Sequence, residues 1–159
     1  MTGPSNVRRA EAAEREAAIA RLTGEWGDPV RVRGETYGFE DCEVFIAGDF
    51  EGLAAVCLRD RPVAELVAIN AFEKGRGIGT ALIEAVVASL RGFDTLRLTT
   101  TNDNLDALRF YQRRSFALSA VRPGAADEAR RLKPSIPAVG DYGIPLRDEI
   151  DLVRRLSQG

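Results

Sequence analysis

The feature that most constrains this chain is an almost unbroken apolar run, Val63 to Ala71, that passes through a glycine-spaced loop into an amphipathic helix. Only Glu65 and Asn70 interrupt the run, which is the profile of a strand covered on both faces. Phe72 to Thr80 then turns from loop to helix, with Gly75, Gly77 and Gly79 alternating at its start. Ile78, Leu82, Ala85, Val86, Ser89 and Leu90 fall on one stripe at helical spacing, and Gly92 marks the stop. A buried strand that feeds a helix through so short a connection implies layers, with helices packed on a sheet.

The flanking sequence supplies the rest of those layers. Residues 7–22 are rich in Ala, Glu and Arg, with Val7, Ala10, Ala17, Ile19 and Leu22 on a loose apolar face, and predict a helix. Gly24, Gly27, Asp28 and Pro29 break it. Val30 and Val32 alternate with arginines, and Cys42–Ala47 and Leu53–Arg59 flank a Gly/Asp-rich turn as a hairpin. Thr95–Thr100 predicts a further strand. Asn102 or Asp103 caps the next helix, which runs to about Arg114 with Leu105, Leu108 and Tyr111 on one stripe. Phe116–Val121 is again strand-like. The remainder, 122–159, holds four of the seven prolines and predicts a short helix at 125–132, a long ordered loop and a last strand or helix at 150–156. The order predicts a three-layer α/β (α+β) fold with a mixed, mostly antiparallel sheet. It reads as one domain over 1–159: a helix at 7–22, a core at 63–121 and a Pro/Gly-rich tail at 122–159.

Composition excludes several chemistries. The chain has 159 residues, 22 Lys+Arg against 24 Asp+Glu, and no histidine. A catalytic triad or a histidine metal site is therefore ruled out, and no metal is expected. The net charge of −2 disfavours a protein held to nucleic acid by phosphate contacts. Cys42 and Cys57 are too few for a zinc cage or a disulfide framework and read as buried thiols in a reducing compartment. No run is long and apolar enough for a membrane span, and residues 1–9 lack the apolar core of a signal peptide, so the cytoplasm is expected. Residues 1–6 read as a disordered start.

The glycine loop reads as a phosphate cradle. A helix N-terminus leaves four backbone N–H groups without acceptors and carries partial positive charge. Glycines let a pyrophosphate approach that backbone, and Lys74 and Arg76 add full charges beside it. The spacing is not that of a P-loop, because Gly79 is followed by Thr80 with no intervening Lys. Nor is it the G-x-G-x-x-G of a dinucleotide fold.

Two blocks in this order carry a family resemblance. Lys74-Gly75-Arg76-Gly77-Ile78-Gly79-Thr80-Ala81-Leu82 resembles the acetyl-CoA pyrophosphate loop of the GNAT superfamily of N-acetyltransferases, whose pattern is Gln/Arg-x-x-Gly-x-Gly/Ala. Downstream, Asn104-x-x-Ala107-x-x-x-Tyr111-x-x-x-Ser115-Phe116 resembles that family's Asn-x-x-Ala-x-x-x-Tyr-x-x-x-Gly-Phe. The tail, with Lys133-Pro134-Ser135-Ile136-Pro137 and Gly143-Ile144-Pro145, is similar to a subgroup of uncharacterised bacterial members. Two positions depart from the pattern. Lys74 replaces Gln or Arg, keeping the charge without the planar fork. Ser115 replaces Gly, which is costly if the site needs a positive φ.

The resemblance implies a transferase that moves an acetyl group from acetyl-CoA to a primary amine by direct attack in a ternary complex. It implies that Gly75, Arg76, Gly77, Gly79, Thr80 and Lys74 hold the pyrophosphate. The backbone of Ile69 and Ala71 would receive the pantetheine arm, and Asn104 would contact the cofactor. Tyr111 would bind beside the thioester and protonate the departing thiolate. Glu65, the one acid in the apolar run, is a candidate base, since desolvation would raise its proton affinity. Its alternative is an exposed or arginine-paired carboxylate. Asp41, Glu43 and Glu51 are lesser candidates, and the Tyr111 and Asn104 alternatives are a core ring and a helix cap. The other function class is a non-catalytic acyl-CoA-binding or sensing domain. An RNA-acetylating toxin is disfavoured by the charge, although Arg109, Arg113 and Arg114 cluster. The acceptor is not legible beyond an amine met near 23–50 and the tail. Nothing in the residues sets the oligomeric state, and the resemblance suggests a homodimer.

Overall fold

Val63–Ala71 forms a strand with the bounds its apolar run predicts, and Ala64–Ala68 are all buried. The structure is a computed structural model and describes residues 6–156. Most of the expected disordered start, residues 1–5, lies outside the described residues. Contacts within the chain gather into two units, residues up to Leu96 together with Leu156, and Arg97–Arg155. The fold class is the expected one: among the described residues, a mixed, mostly antiparallel sheet of seven strands with four helices.

The first unit begins with a strand that the sequence does not predict, β1 (Val7–Arg9), followed by α1 (Ala12–Trp26). The expected helix at 7–22 is thus displaced. Val7, Arg8 and Arg9 pair with Ala47, Ile46 and Phe45, so tertiary pairing overrides a local helical pattern. At the other end Gly24 is carried inside the helix and faces open space, a cost of about 1 kcal/mol that a packed helix absorbs. The stop is Gly27, at φ +75° with its N–H donating to Thr23. A small hairpin follows, β2 (Val30–Val32) and β3 (Glu35–Tyr37), turned by Arg33 and Gly34, both at positive φ. β3 went unpredicted because Arg is not the residue that usually opens such a turn. β4 (Cys42–Ala47), β5 (Gly52–Cys57) and β6 (Val63–Ala71) are consecutive antiparallel strands, giving the order β1-β4-β5-β6. Helix α2 (Ile78–Ser89) closes the unit.

Register decides which residues share a face. Ala55 pairs with Ala68 but Val56 pairs with Leu66, so Val67 is an extra residue on β6. Residues 65 and 70 would otherwise point to opposite faces. The bulge puts both on the face of Leu53, Ala55 and Cys57, where α1 contributes Ala18, Ile19 and Leu22 to the same core cluster. The opposite face presents Gly52. A Cβ on Gly52 would lie 2.5 Å from Ile78 Cγ2 and 2.9 Å from the Asn70 carbonyl, so α2 sits down on bare backbone there. Cys42 and Cys57 are register partners, both free and buried. Burial pushes the Cys42 thiol up to about 12, which keeps it protonated and inert.

The second unit contains β7 (Thr95–Thr101), which starts at the end of the first, then α3 (Leu105–Gln112), β8 (Ala117–Arg122), α4 (Ala125–Leu132) and β9 (Glu149–Arg155), with strand order β7-β9-β8. The short helix at 125–132 is where it was expected, and the last element is a strand. The expected stripe on α3 is only partly buried: Tyr111 is core, whereas Leu105 is 44% exposed. Ser115 has φ +71°, and the Phe116 and Arg114 N–H groups both donate to the Tyr111 carbonyl, a left-handed helix stop that favours Gly. Ser115→Gly is therefore expected to raise stability by about 1 kcal/mol in denaturant unfolding. An unchanged or lower midpoint would mean that the serine side chain offsets its own backbone cost.

Candidate active site

In the first unit the glycine loop ends β6 and opens α2. Gly77 caps the helix in the left-handed conformation (φ +72°), Gly75 lies at φ +80°, and a Cβ at either would meet nothing within 4 Å. The first intrahelical bond runs from Ala81 N–H to the Gly77 carbonyl at 2.9 Å. The N–H groups of residues 78 and 79 precede that bond and have no acceptor four residues back within the helix. No side chain caps the end and no acid lies in its first turn. Gly79 is buried in that turn and Thr80 half-buried. The end thus keeps its partial positive charge and a bare backbone approach, which is what an anionic ligand needs.

The two loop cations differ. Lys74 is exposed and makes no ion pair with the described residues. Arg76 bonds to Glu51 at 3.0 Å and to Glu73 in a shorter contact, and these partners raise its already high pKa. Its charge is shared with two carboxylates. Ile69 is half-buried and Ala71 exposed at the open end of β6, paired with Ala54 and Gly52. Of the lesser acidic candidates, Glu43 faces Arg9 at 3.4 Å, Glu51 holds Arg76, and Asp41 lies in an exposed turn.

Glu65 is 2% exposed. Arg33 reaches down from the β2–β3 turn and donates to both carboxylate oxygens, at 2.8 and 3.0 Å, and to the Tyr37 hydroxyl oxygen at 2.7 Å. A bidentate guanidinium gives the carboxylate two charge-assisted hydrogen bonds in a fixed geometry. The arginine-paired alternative is the arrangement found. Arg33 itself was missed by the sequence reading, and the only signal was the Gly34 that follows it. Two further residues were missed on the same face. The Trp26 indole N–H donates to Asn70 Oδ1 at 2.5 Å, and Arg21 lies over the Phe72 ring at 4.0 Å.

In the second unit the turn 101–104 does most of the organising. Asn104 caps α3, its Oδ1 accepting from Ala107 N–H and its Nδ2 donating to Thr100 Oγ1, both at 3.2 Å. The cap is therefore Asn104, not Asn102 or Asp103. Those two hold the Pro-rich loop instead. Asn102 Oδ1 accepts from Arg147 and Asp148 N–H, and its Nδ2 donates to the Pro145 carbonyl. Asp103 accepts from Asp141 N–H at 2.9 Å. Arg130 completes the clamp on the carbonyls of Ile136, Pro137 and Leu146. The tail is thus an ordered strap held by a set of exposed and part-buried hydrogen bonds.

Tyr111 is 9% exposed, edge-on to Phe110 and Phe116 at 5.3 and 5.5 Å. Its hydroxyl forms no hydrogen bond with the described residues. Burial pushes its pKa above the usual phenol value, so the proton is held through the neutral range. Arg114 folds back over the Phe110 ring at 3.8 Å and donates to the Phe110 carbonyl, so this member of the basic cluster is engaged on its own helix.

A strand that feeds a bare, glycine-opened helix is an arrangement suited to an anionic ligand. The profile of the acetyltransferase (GNAT) family matches residues 15–116, and the chain belongs to that family. It is 35% identical over 131 residues to the uncharacterized protein YdhI of Bacillus subtilis (strain 168), covering 79% of this chain and 82% of YdhI. Solved structures share the fold. A Bacillus subtilis acetyltransferase in complex with CoA superposes with TM-score 0.70 at 20% identity, over 97% of this chain and 99% of that one. A GNAT family acetyltransferase from Elizabethkingia anophelis with acetyl-CoA bound gives 0.71 at 17%, over 95% and 97%. Among the described residues no helix is long and apolar enough to cross a membrane.

Proposed function

We propose that this protein transfers an acetyl group from acetyl-CoA to a primary amine by direct attack in a ternary complex. The observation that carries the reading is the start of α2: left-handed Gly77 with open space above it, no cap and no acid, and Lys74 beside it. In this reading Gly75, Gly77, Gly79, Thr80, Lys74 and Arg76 receive the pyrophosphate. The backbone of Ile69 and Ala71 receives the pantetheine arm, and Asn104 fixes the start of α3 against the cofactor. Tyr111 protonates the leaving thiolate, a role supported by a phenol that burial keeps protonated. Two buried free thiols fit a reducing compartment, and the cytoplasm is the proposed location. Calorimetric titration with acetyl-CoA, with CoA and NADH as controls, tests the reading. Binding of both CoA species and not NADH is expected, and no binding of either would reject it.

Glu65 is proposed as the proton acceptor, and to act so it must first loosen from Arg33. The Arg33 pair is also the one observation favouring the alternative, an acyl-CoA-binding module without turnover. Glu65→Gln separates the cases. If Glu65 is the base, kcat/KM falls by about 10²- to 10⁴-fold and the acidic limb of the pH profile disappears. If it only anchors Arg33, the profile keeps its shape and the loss appears as a lower unfolding midpoint. A binding module keeps its acetyl-CoA affinity and shows no turnover in either form.

A further inference from the structure

The Pro-rich strap folds back on itself, with Val139 bridged to Pro145 and the Gly140 N–H donating to the Ile144 carbonyl at 2.8 Å. One side chain fits into it. Asp103 is 6% exposed and makes no ion pair with the described residues, so neutral donors hold its carboxylate. Oδ1 accepts from the Thr101 hydroxyl, and Oδ2 accepts from the Asp141 N–H at 2.9 Å. A Cβ on Gly140 would overlap Oδ2, so the strap backbone closes directly over the carboxylate. Tethering alone does not call for this, because Asn102 already holds the strap through three hydrogen bonds.

The turn that holds Asp103 leads straight into α3. The Asp103 carbonyl accepts from the Leu105 N–H at 2.8 Å, and the residue between them, Asn104, caps the helix. On the other side of the cap, the Tyr142 hydroxyl at the strap tip donates to Asp106 Oδ1 at 2.6 Å. The strap thus bonds to the chain on both sides of the cap. α3 has only eight residues, too few to be stable on its own, so tertiary ties set its direction. Tyr111 sits two turns beyond the cap, about 10 Å along the axis. A tilt at the start of α3 therefore displaces the phenol, and a misplacement of about 1 Å can cost about 10²-fold in rate. We infer that Asp103 is a positioning residue: by joining the strap to the start of α3, it fixes the place at which that helix holds the Tyr111 hydroxyl. This rests on the acid role given to Tyr111 above.

The test is a double-mutant cycle on thiol release from acetyl-CoA, with n-butylamine as a simple primary amine. Asp103→Ala is expected to lower kcat about tenfold, with acetyl-CoA affinity within about threefold of the wild type. Asp103→Asn should keep kcat within about twofold. Its amide oxygen can take the Asp141 N–H, and its amide nitrogen can donate to a Thr101 hydroxyl that turns to accept. Combined with Tyr111→Phe, Asp103→Ala should cost no more than about twofold further, because a helix that no longer carries the hydroxyl has nothing left to misplace. Gly140→Ala breaks the same contact from the strap side and is expected to reproduce the loss, so a folding failure of the Asp103 variant leaves the inference testable. Losses that multiply in the double variant overturn it, as does wild-type kcat in a folded Asp103→Ala or, if that variant does not fold, in Gly140→Ala. If Tyr111→Phe alone keeps wild-type kcat, or the wild-type protein releases no thiol, the reading above fails first and this one falls with it.

Discussion

Tyr111→Phe is expected to lower kcat for thiol release by about two orders of magnitude while leaving acetyl-CoA affinity within about twofold of the wild type. The ring packs edge-on between Phe110 and Phe116, and Phe preserves that packing, so the variant removes one oxygen and little else. The pH dependence follows from the same burial. Raising the phenol pKa above its ordinary value of about 10 keeps the proton in place, so Tyr111 should impose no alkaline limb on kcat below about pH 10. The sign for stability agrees: the folded state holds the proton more tightly, so the contribution is present below the unfolded pKa and lost as pH rises through the folded one. Wild-type kcat in Tyr111→Phe would return the residue to a purely structural role.

Gly77→Asn is expected to weaken acetyl-CoA binding by tenfold or more, measured by calorimetry, with an unfolding midpoint close to the wild type. Asn is chosen because it tolerates the left-handed conformation that Gly77 adopts. The space around a Cβ there is open, so the fold has nothing to lose by contact. Any loss of affinity must then come from a side chain standing where the ligand approaches the backbone. Unchanged affinity would mean that the glycines serve only the turn.

What was legible in the sequence was whatever local chemistry decides. β6, α4 and the β4–β5 hairpin declare themselves through apolar runs and glycine turns, and the loop before α2 through its spacing. What was not legible depends on partners distant in the chain. β1 exists because β4 offers it an edge. The β2–β3 turn is opened by an arginine at positive φ, a backbone cost that its ion pair with Glu65 offsets. The environment of Glu65 was the largest gap. An acid inside an apolar run suggests a desolvated group with raised proton affinity, and only the folded chain brings Arg33 to both of its oxygens. The roles of Asn102 and Asp103 were misread for a related reason. A polar turn before a helix looks like a cap, and the acceptors and donors they actually serve lie 38 to 46 residues further along.

The extra residue in β6 sets a constraint on length rather than on composition. Glu65 and Asn70 share a face because β6 carries one residue more than β5 across the interval between them. Substituting Val67 by another residue keeps that count and alters only packing. Removing it would restore simple alternation and send one of the two polar groups through the sheet, parting either Asn70 from Trp26 or Glu65 from Arg33 without touching any of those side chains. The count of residues in one strand against its neighbour thus fixes the face of a polar side chain as firmly as the identity of that side chain fixes its chemistry.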